Sequence, residues 1–222
     1  MKYILPALIF LSLFASCASS KKYAMYANEA YGKGDKTPVA KAPGIAVSYA
    51  GPDQKGANVK VTKLRGSFVP AVFYWRVRDK QECSMKSDLP MQAFERQFYA
   101  TADSLKMSTK LNGGLLNVRV NSFPLKFTYY RWADLYYFLF IYLQKSDQTV
   151  QLVHTDVQVS YKVTGGYNPL SGGEARVPVD VAEYRNVHAG RKKVTQFFMR
   201  KYYSFSADLG RQCALQIYDQ LK

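Results

Sequence analysis

Three extended segments follow one another between Leu116 and Val163, and they constrain the fold more than any other feature of the chain. Leu116, Val118 and Val120 alternate with Asn117, Arg119 and Asn121, the pattern of a half-buried strand. Residues 125–130, past Pro124, continue as strand-like sequence. Residues 135–143 are apolar on both faces, which predicts a central strand. A buried helix is the competing reading, and the aromatic content favours the strand. Residues 150–163 alternate again, with Val153, Thr155, Val157, Val159, Tyr161 and Val163 on one side and His154, Asp156, Gln158, Ser160 and Lys162 on the other. Lys145-Ser146-Asp147-Gln148 has the composition of the turn between the last two segments.

The flanking sequence supplies one more strand and two helices. Residues 68–77 are rich in aromatic and β-branched side chains and predict a strand. Pro70 lacks a ladder donor and suits an edge strand or a strand start. A helix follows, capped by Ser87 or Asp88 with Pro90 in its first turn. Its apolar stripe is Met91, Phe94, Phe98, Ala102 and Leu105, which reads as core packing. Asn112-Gly113-Gly114 breaks the chain. Residues 165–190 read as a long loop punctuated by Gly165-Gly166, Asn168-Pro169 and Gly172-Gly173. A C-terminal helix runs from about Lys192, with Val194, Phe198, Phe205, Leu209 and Ile217 able to share one side. Gly210 in its interior marks a kink or a close contact with the sheet. The expected fold class is α+β, a mainly antiparallel four-stranded sheet with two helices packed on one face.

The amino end sets the compartment. Lys2 is followed by an almost wholly apolar stretch at residues 3–14, then by the small residues Ala15 and Ser16 and by Cys17. A charged start, an apolar run of about 7–15 residues and small residues at the cut describe an export signal. A membrane-spanning helix needs roughly 20 apolar residues, so this segment is too short to be one. The run Leu13-Phe14-Ala15-Ser16-Cys17 resembles the lipobox of bacterial lipoproteins. The usual residue at position 14 of such a motif is aliphatic, and here it is phenylalanine. The resemblance implies cleavage before Cys17, a diacylglycerol on the Cys17 thiol and acylation of the new amino terminus. The expected organisation is a signal peptide over 1–16, a lipidated flexible tether over 17–57 and one α+β domain over 58–222. The tether reading follows from a segment rich in Ala, Ser, Lys, Gly and Pro with weak apolar periodicity. An alternative within it is a short edge strand over residues 45–49.

Thirty-one Lys and Arg against 16 Asp and Glu give a net charge of +15, which favours polyanionic partners. Export removes nucleic acid from reach and leaves anionic phospholipid, lipopolysaccharide phosphate and acidic glycans. The 18 tyrosines suit wet apolar surfaces and membrane interfaces. With Cys17 acylated, Cys83 and Cys213 can pair in an oxidising periplasm or remain two separate buried thiols.

Catalytic and metal chemistry finds little support. His154 and His188 are the only histidines, and no His, Cys and carboxylate cluster has metal-ligand spacing. Ser171 lacks the first glycine of a nucleophile elbow, and Gly165-Gly166 precedes no helix with a phosphate-binding lysine. Asp180 and Glu183 read as salt-bridge partners. No cofactor and no enzymatic activity are expected. The informative set is basic and aromatic together: Trp75, Arg76 and Arg78; Lys126, Tyr129, Tyr130, Arg131 and Trp132; Lys192, Lys193, Arg200, Lys201, Tyr202 and Tyr203. Such mixtures suit an amphiphile with an anionic head, and equally the ordinary snorkelling of long side chains. Trp75, Arg76, Arg131 and Trp132 are the candidate contact residues.

The order strand, helix, three strands, helix, behind a lipobox and a tether, resembles the small α/β lipoproteins of Gram-negative envelopes, such as the lipopolysaccharide-assembly lipoprotein and the auxiliary lipoproteins of ABC-type lipid transporters. The resemblance implies a non-catalytic accessory protein that holds an anionic lipid, a glycolipid or an envelope protein complex. The expected location is the outer membrane, lipid-anchored and facing the periplasm, because no acidic sorting residues follow Cys17 closely. The alternative is a surface-exposed adhesin or fibre component acting through protein–protein contacts.

Overall fold

The computed structural model describes residues 20–71, 73–138, 141–153, 156–166, 172–179, 183–186 and 189–221. The fold is α+β, with two sheets and four helices among the described residues in place of a single four-stranded sheet. In chain order the elements are α1 (Ser20–Tyr31), β1 (Ile45–Tyr49), β2 (Val59–Ala71), β3 (Tyr74–Met85), α2 (Asp88–Ser104), α3 (Met107–Lys110), β4 (Leu115–Ser122), β5 (Lys126–Phe138), β6 (Ile141–Leu152), β7 (Val157–Thr164), β8 (Gly172–Val177), β9 (Tyr184–Arg185) and α4 (Arg191–Gln220).

The smaller sheet has the order β1-β4-β7-β8, with β1 parallel to β4 and the other pairs antiparallel. The alternation expected in 116–120 and from 157 onward is realised there: Leu116, Val118, Val120, Val157 and Val159 are buried. The larger sheet, β2-β3-β5-β6-β9, is antiparallel throughout. Helix α2 buries Met91, Phe94, Phe98 and Ala102 as its stripe requires, with Pro90 in the first turn. Helix α4, about 45 Å long at 1.5 Å per residue, reaches both sheets. Phe198 packs on Phe127 of β5 at 4.8 Å between ring centroids, and Gln216 Nε2 donates to the Arg176 carbonyl of β8 at 3.4 Å.

Several expectations need correction. From Ser20 on, the segment read as a flexible tether is folded. Tyr23, Ala27, Ala30 and Tyr31 are buried on one side of α1, and β1 is the short edge strand kept as the alternative. The Asn28 side chain locks α1 to β2 by pairing with both polar groups of one residue: Nδ2 donates to the Val59 carbonyl at 2.9 Å, and the Val59 N–H donates to Oδ1 at 2.8 Å. Residues 68–77 are not one strand but the far end of the β2–β3 hairpin. Residues 135–143 likewise belong to two paired strands, with Phe138 opposite Ile141. The expected turn at 145–148 is therefore mid-strand, with Asp147 opposite Trp132. The expected loop 165–190 contains β8 and β9. Gly210 meets a helix and not a sheet: a Cβ there would lie 2.2 Å from the Phe94 carbonyl oxygen of α2. Cys83 and Cys213 are separate buried thiols.

Candidate functional site

The larger sheet extends past the body of the protein, because β2, β3, β5 and β6 are each 12 or 13 residues long. Alternate residues of a strand face opposite sides. On β3, Cys83, Gln81, Asp79, Val77 and Trp75 share the side that meets α1 and α4 at its base. Residues Phe127, Tyr129, Arg131, Ala133 and Leu135 stand opposite them on β5. Along this side the character changes in steps. Cys83, Phe127 and Tyr129 belong to the core. Next comes a covered polar band in which Gln81 Nε2 donates to Asp79 Oδ2 at 2.8 Å, the Tyr129 hydroxyl donates to Gln148 Oε1 at 2.9 Å, and Arg191 lies 3.9 Å from Asp79. Asp79 Oδ1, Gln81 Oε1 and Arg191 Nη1 are buried there without a protein partner. Beyond the band the surface turns apolar again.

The other side of the same strands carries an ion cluster. Arg76, Asp134 and Lys145 occupy one row across β3, β5 and β6. Arg78 grips the buried Asp134 carboxylate with both terminal nitrogens, at 3.0 and 3.1 Å. Arg76 Nε donates to Asp134 Oδ1 at 3.2 Å, and the Tyr74 hydroxyl donates to the same oxygen at 3.3 Å. The hydrogen bonds from Arg78, and then those from Arg76, hold the Asp134 carboxyl below the usual carboxylate range. Trp132 lies under the Arg78 guanidinium (5.2 Å) and the Lys145 ammonium (5.7 Å). Further back an open groove of about 520 Å³ is lined by Arg65, Lys80, Tyr130, Trp132, Asp147 and Arg185 among others.

Past the Arg76 row the strands carry no charge up to the two hairpin ends: residues 66–75 and 135–144 are both free of Asp, Glu, Lys and Arg. Large apolar side chains are exposed there: Phe68, Val69, Phe73, Trp75, Tyr136, Tyr137 and Leu143. Single exposed apolar residues need no explanation, but a contiguous group bordered by charge marks a contact surface.

The structure divides the four candidate contact residues between the two sides of the sheet. Trp75 and Arg131 lie on the side continuous with the core, Arg76 and Trp132 on the other. Arg131 stands opposite Asp79 in the polar band, half-buried, where burial and then the Arg191 guanidinium push its pKa down. Cys17, Ser171, Asp180, His154 and His188 lie outside the described residues, and Glu183 is exposed beside β9. The basic and aromatic residues of α4 stay with the body: Tyr202 is buried and Lys192 Nζ is 2.9 Å from Glu29. Sequence reasoning missed Asp134 and Tyr136–Tyr137, although two uncharged stretches bounded by Arg65, Arg76, Asp134 and Lys145 were a visible signal. No group of His, Cys, Asp and Glu among the described residues is arranged to hold a metal ion. No helix among them is long and apolar enough to cross a membrane.

No family model, no curated protein and no solved structure matches this chain.

Proposed function

We propose that the protein is a lipid-anchored, non-catalytic component of a bacterial envelope, acylated on Cys17, that binds anionic lipid or glycolipid head groups as an accessory to transport or assembly, at the outer membrane facing the periplasm. The observation that carries this reading is the juxtaposition on the larger sheet of an exposed, uncharged end with a row of cations and aromatic rings directly behind it. Apolar side chains suit the acyl boundary, and Arg76, Arg78 and Lys145 suit phosphate. Each cation near an anionic surface contributes about 1 kcal/mol. The Asp134 carboxylate holds the two arginines in place without cancelling the excess positive charge.

The test is sedimentation with anionic and with zwitterionic vesicles at low salt. The pair Arg76→Gln and Lys145→Gln removes two cations, about 2 kcal/mol or roughly thirtyfold in binding to anionic vesicles. It leaves the weaker binding to zwitterionic vesicles unchanged. Equal binding by the wild type and the variant to anionic vesicles would contradict the reading.

A second reading, a surface-exposed adhesin or fibre component, draws on one feature. β2 is an edge strand of the larger sheet, and an open edge is a template for pairing with another chain. Protease treatment of intact cells separates the two: a periplasm-facing protein survives it and a surface protein is lost.

A further inference from the structure

We infer that the apolar end of the larger sheet is a second membrane anchor, dipping into the acyl boundary of the same leaflet that holds the lipid on Cys17. The inference rests on the lipid-anchored reading and adds where the sheet goes. Direction, length and chemistry agree on it.

Direction comes from α1. Tyr23 stacks on Tyr129, 4.4 Å between ring centroids, and Tyr129 stands opposite Gln81. Asn28 bonds to Val59, which stands opposite Met85. The Tyr31 hydroxyl is 3.0 Å from the Lys86 carbonyl. Passing from Tyr23 to Tyr31, the contacts therefore step along β3 away from the hairpin ends. The Ser20 end of α1 points toward them, on the side from which the sheet protrudes.

Length then sets a depth. Phe73 is eight residues beyond Gln81 along the sheet, roughly 27 Å at 3.4 Å per residue. Ser20 is three residues before Tyr23 in the helix, which recovers roughly 4.5 Å. Cys17 is three residues earlier still, and three residues of chain reach at most about 10 Å. The sheet end thus lies on the order of 12 Å beyond the farthest level Cys17 can occupy. With the thioether at the glycerol level and the strands along the membrane normal, the hairpin ends reach past it, into the region where apolar side chains are stable.

Chemistry matches that depth. The uncharged cap begins at the row of Arg76, Asp134 and Lys145, and Phe73 and Tyr137 lie three residues beyond it, roughly 10 Å along the strands. Interfacial elements bury about 5–10 Å into the head-group and acyl boundary. Trp132, two residues behind the row, then falls near the head-group level, where tryptophan concentrates. The cap cannot cross the membrane. A spanning strand needs about 9–11 residues, whereas each ten-residue uncharged stretch is shared by the two arms of a hairpin. A shallow dip also leaves the open edge of β2 within reach of water, which the hydrocarbon centre would not allow.

The two tryptophans of the chain are placed to test this. Trp75 is opposite Leu135 in the cap, three residues nearer the hairpin ends than Trp132. Full-length, lipidated Trp132→Phe and Trp75→Phe proteins each report on one position. Each is reconstituted into phosphatidylethanolamine–phosphatidylglycerol vesicles with or without bromine on the acyl chains, and vesicle flotation is recorded. The expected result is at least a twofold loss of Trp75 emission with brominated lipid, a markedly smaller loss for Trp132, and Trp75 protected from acrylamide. Trp75 open to acrylamide and indifferent to bromine, in protein that still floats with vesicles, overturns the inference and leaves the lipid-anchored reading standing. Trp75 shielded from acrylamide yet indifferent to bromine overturns it in favour of a covering protein, a second copy included. Protein that does not float overturns both.

Discussion

Replacing Phe73, Tyr137 and Leu143 together by serine in a form without lipid, Cys17→Ser, isolates what the sheet end contributes to membrane binding. These side chains are 58%, 56% and 63% exposed, so the body of the protein does not need them for packing. At about 200 Å² for a fully exposed side chain, they present roughly 350 Å² of mostly apolar surface. Complete burial at about 25 cal/mol per Å² would be worth about 9 kcal/mol. The dip is shallow and the tyrosine oxygen stays wet, so about half of that, roughly 4 kcal/mol, is the working figure. The triple variant should bind vesicles roughly a thousandfold more weakly than its Cys17→Ser parent. Thermal stability in solution should change by no more than about 0.5 kcal/mol. Vesicle sedimentation across a lipid titration measures the first quantity and circular-dichroism melting the second. A loss of binding below about fivefold, with the fold intact, would refute the assignment of this end to the membrane.

Four further outcomes follow from the same geometry. Gly210→Ala places a methyl group 2.2 Å from the Phe94 carbonyl oxygen; overpacking of about 1–3 kcal/mol outweighs the helix preference for alanine of about 1 kcal/mol, so melting temperature should fall, and a rise would contradict the α2–α4 contact. Asn28→Ala strips both partners from the buried Val59 peptide groups, costing about 2 kcal/mol and about 4–8 °C in melting temperature; an unchanged melt would mean that α1 is not docked. Cys83 and Cys213 are buried and unpaired, with burial pushing the Cys213 thiol up to about 12 and Cys83 well above its ordinary value; neither should react with a thiol reagent at pH 8 until urea unfolds the chain, and rapid labelling of the native protein would contradict this. The Asp134 carboxyl is held low by Arg78 and Arg76, so its stabilisation is present above the unfolded value of about 3.9 and is lost as pH falls through the folded value; the melting difference between wild type and Asp134→Asn should therefore shrink with falling pH below about 4, and a difference constant down to pH 2 would contradict the pairing.

Much of the scaffold is legible in the sequence where one periodicity dominates. Helix α2 follows from Met91, Phe94, Phe98 and Ala102, and the strands of the smaller sheet follow from strict alternation in β4 and β7. Helix α1 was hidden because its buried side is made of Tyr23, Ala27, Ala30 and Tyr31, small or amphipathic residues with lysines before them and glycines after. Its stability comes from the Asn28 clamp and the Tyr23–Tyr129 stack, which depend on residues distant in sequence. The hairpin ends were misplaced for a different reason. Polarity marks turns in chains surrounded by water, but here the polar run 145–148 sits mid-strand, where β6 leaves the core, and the connection between β5 and β6 is apolar. The parallel pairing of β1 with β4 joins residues about 70 positions apart and leaves no local trace. Of the candidate site, the mixture of tryptophan and arginine was visible, but its division between two sides of a sheet depends on the register of β3 with β5.

The most direct measurement is metabolic labelling of growing cells with a clickable fatty acid, followed by separation of membrane and soluble fractions. The account predicts that the full chain carries the label and sediments with the membranes, and that Cys17→Ala carries none. A full chain that stays unlabelled and soluble would contradict it, and the apolar sheet end would then have to be covered by protein.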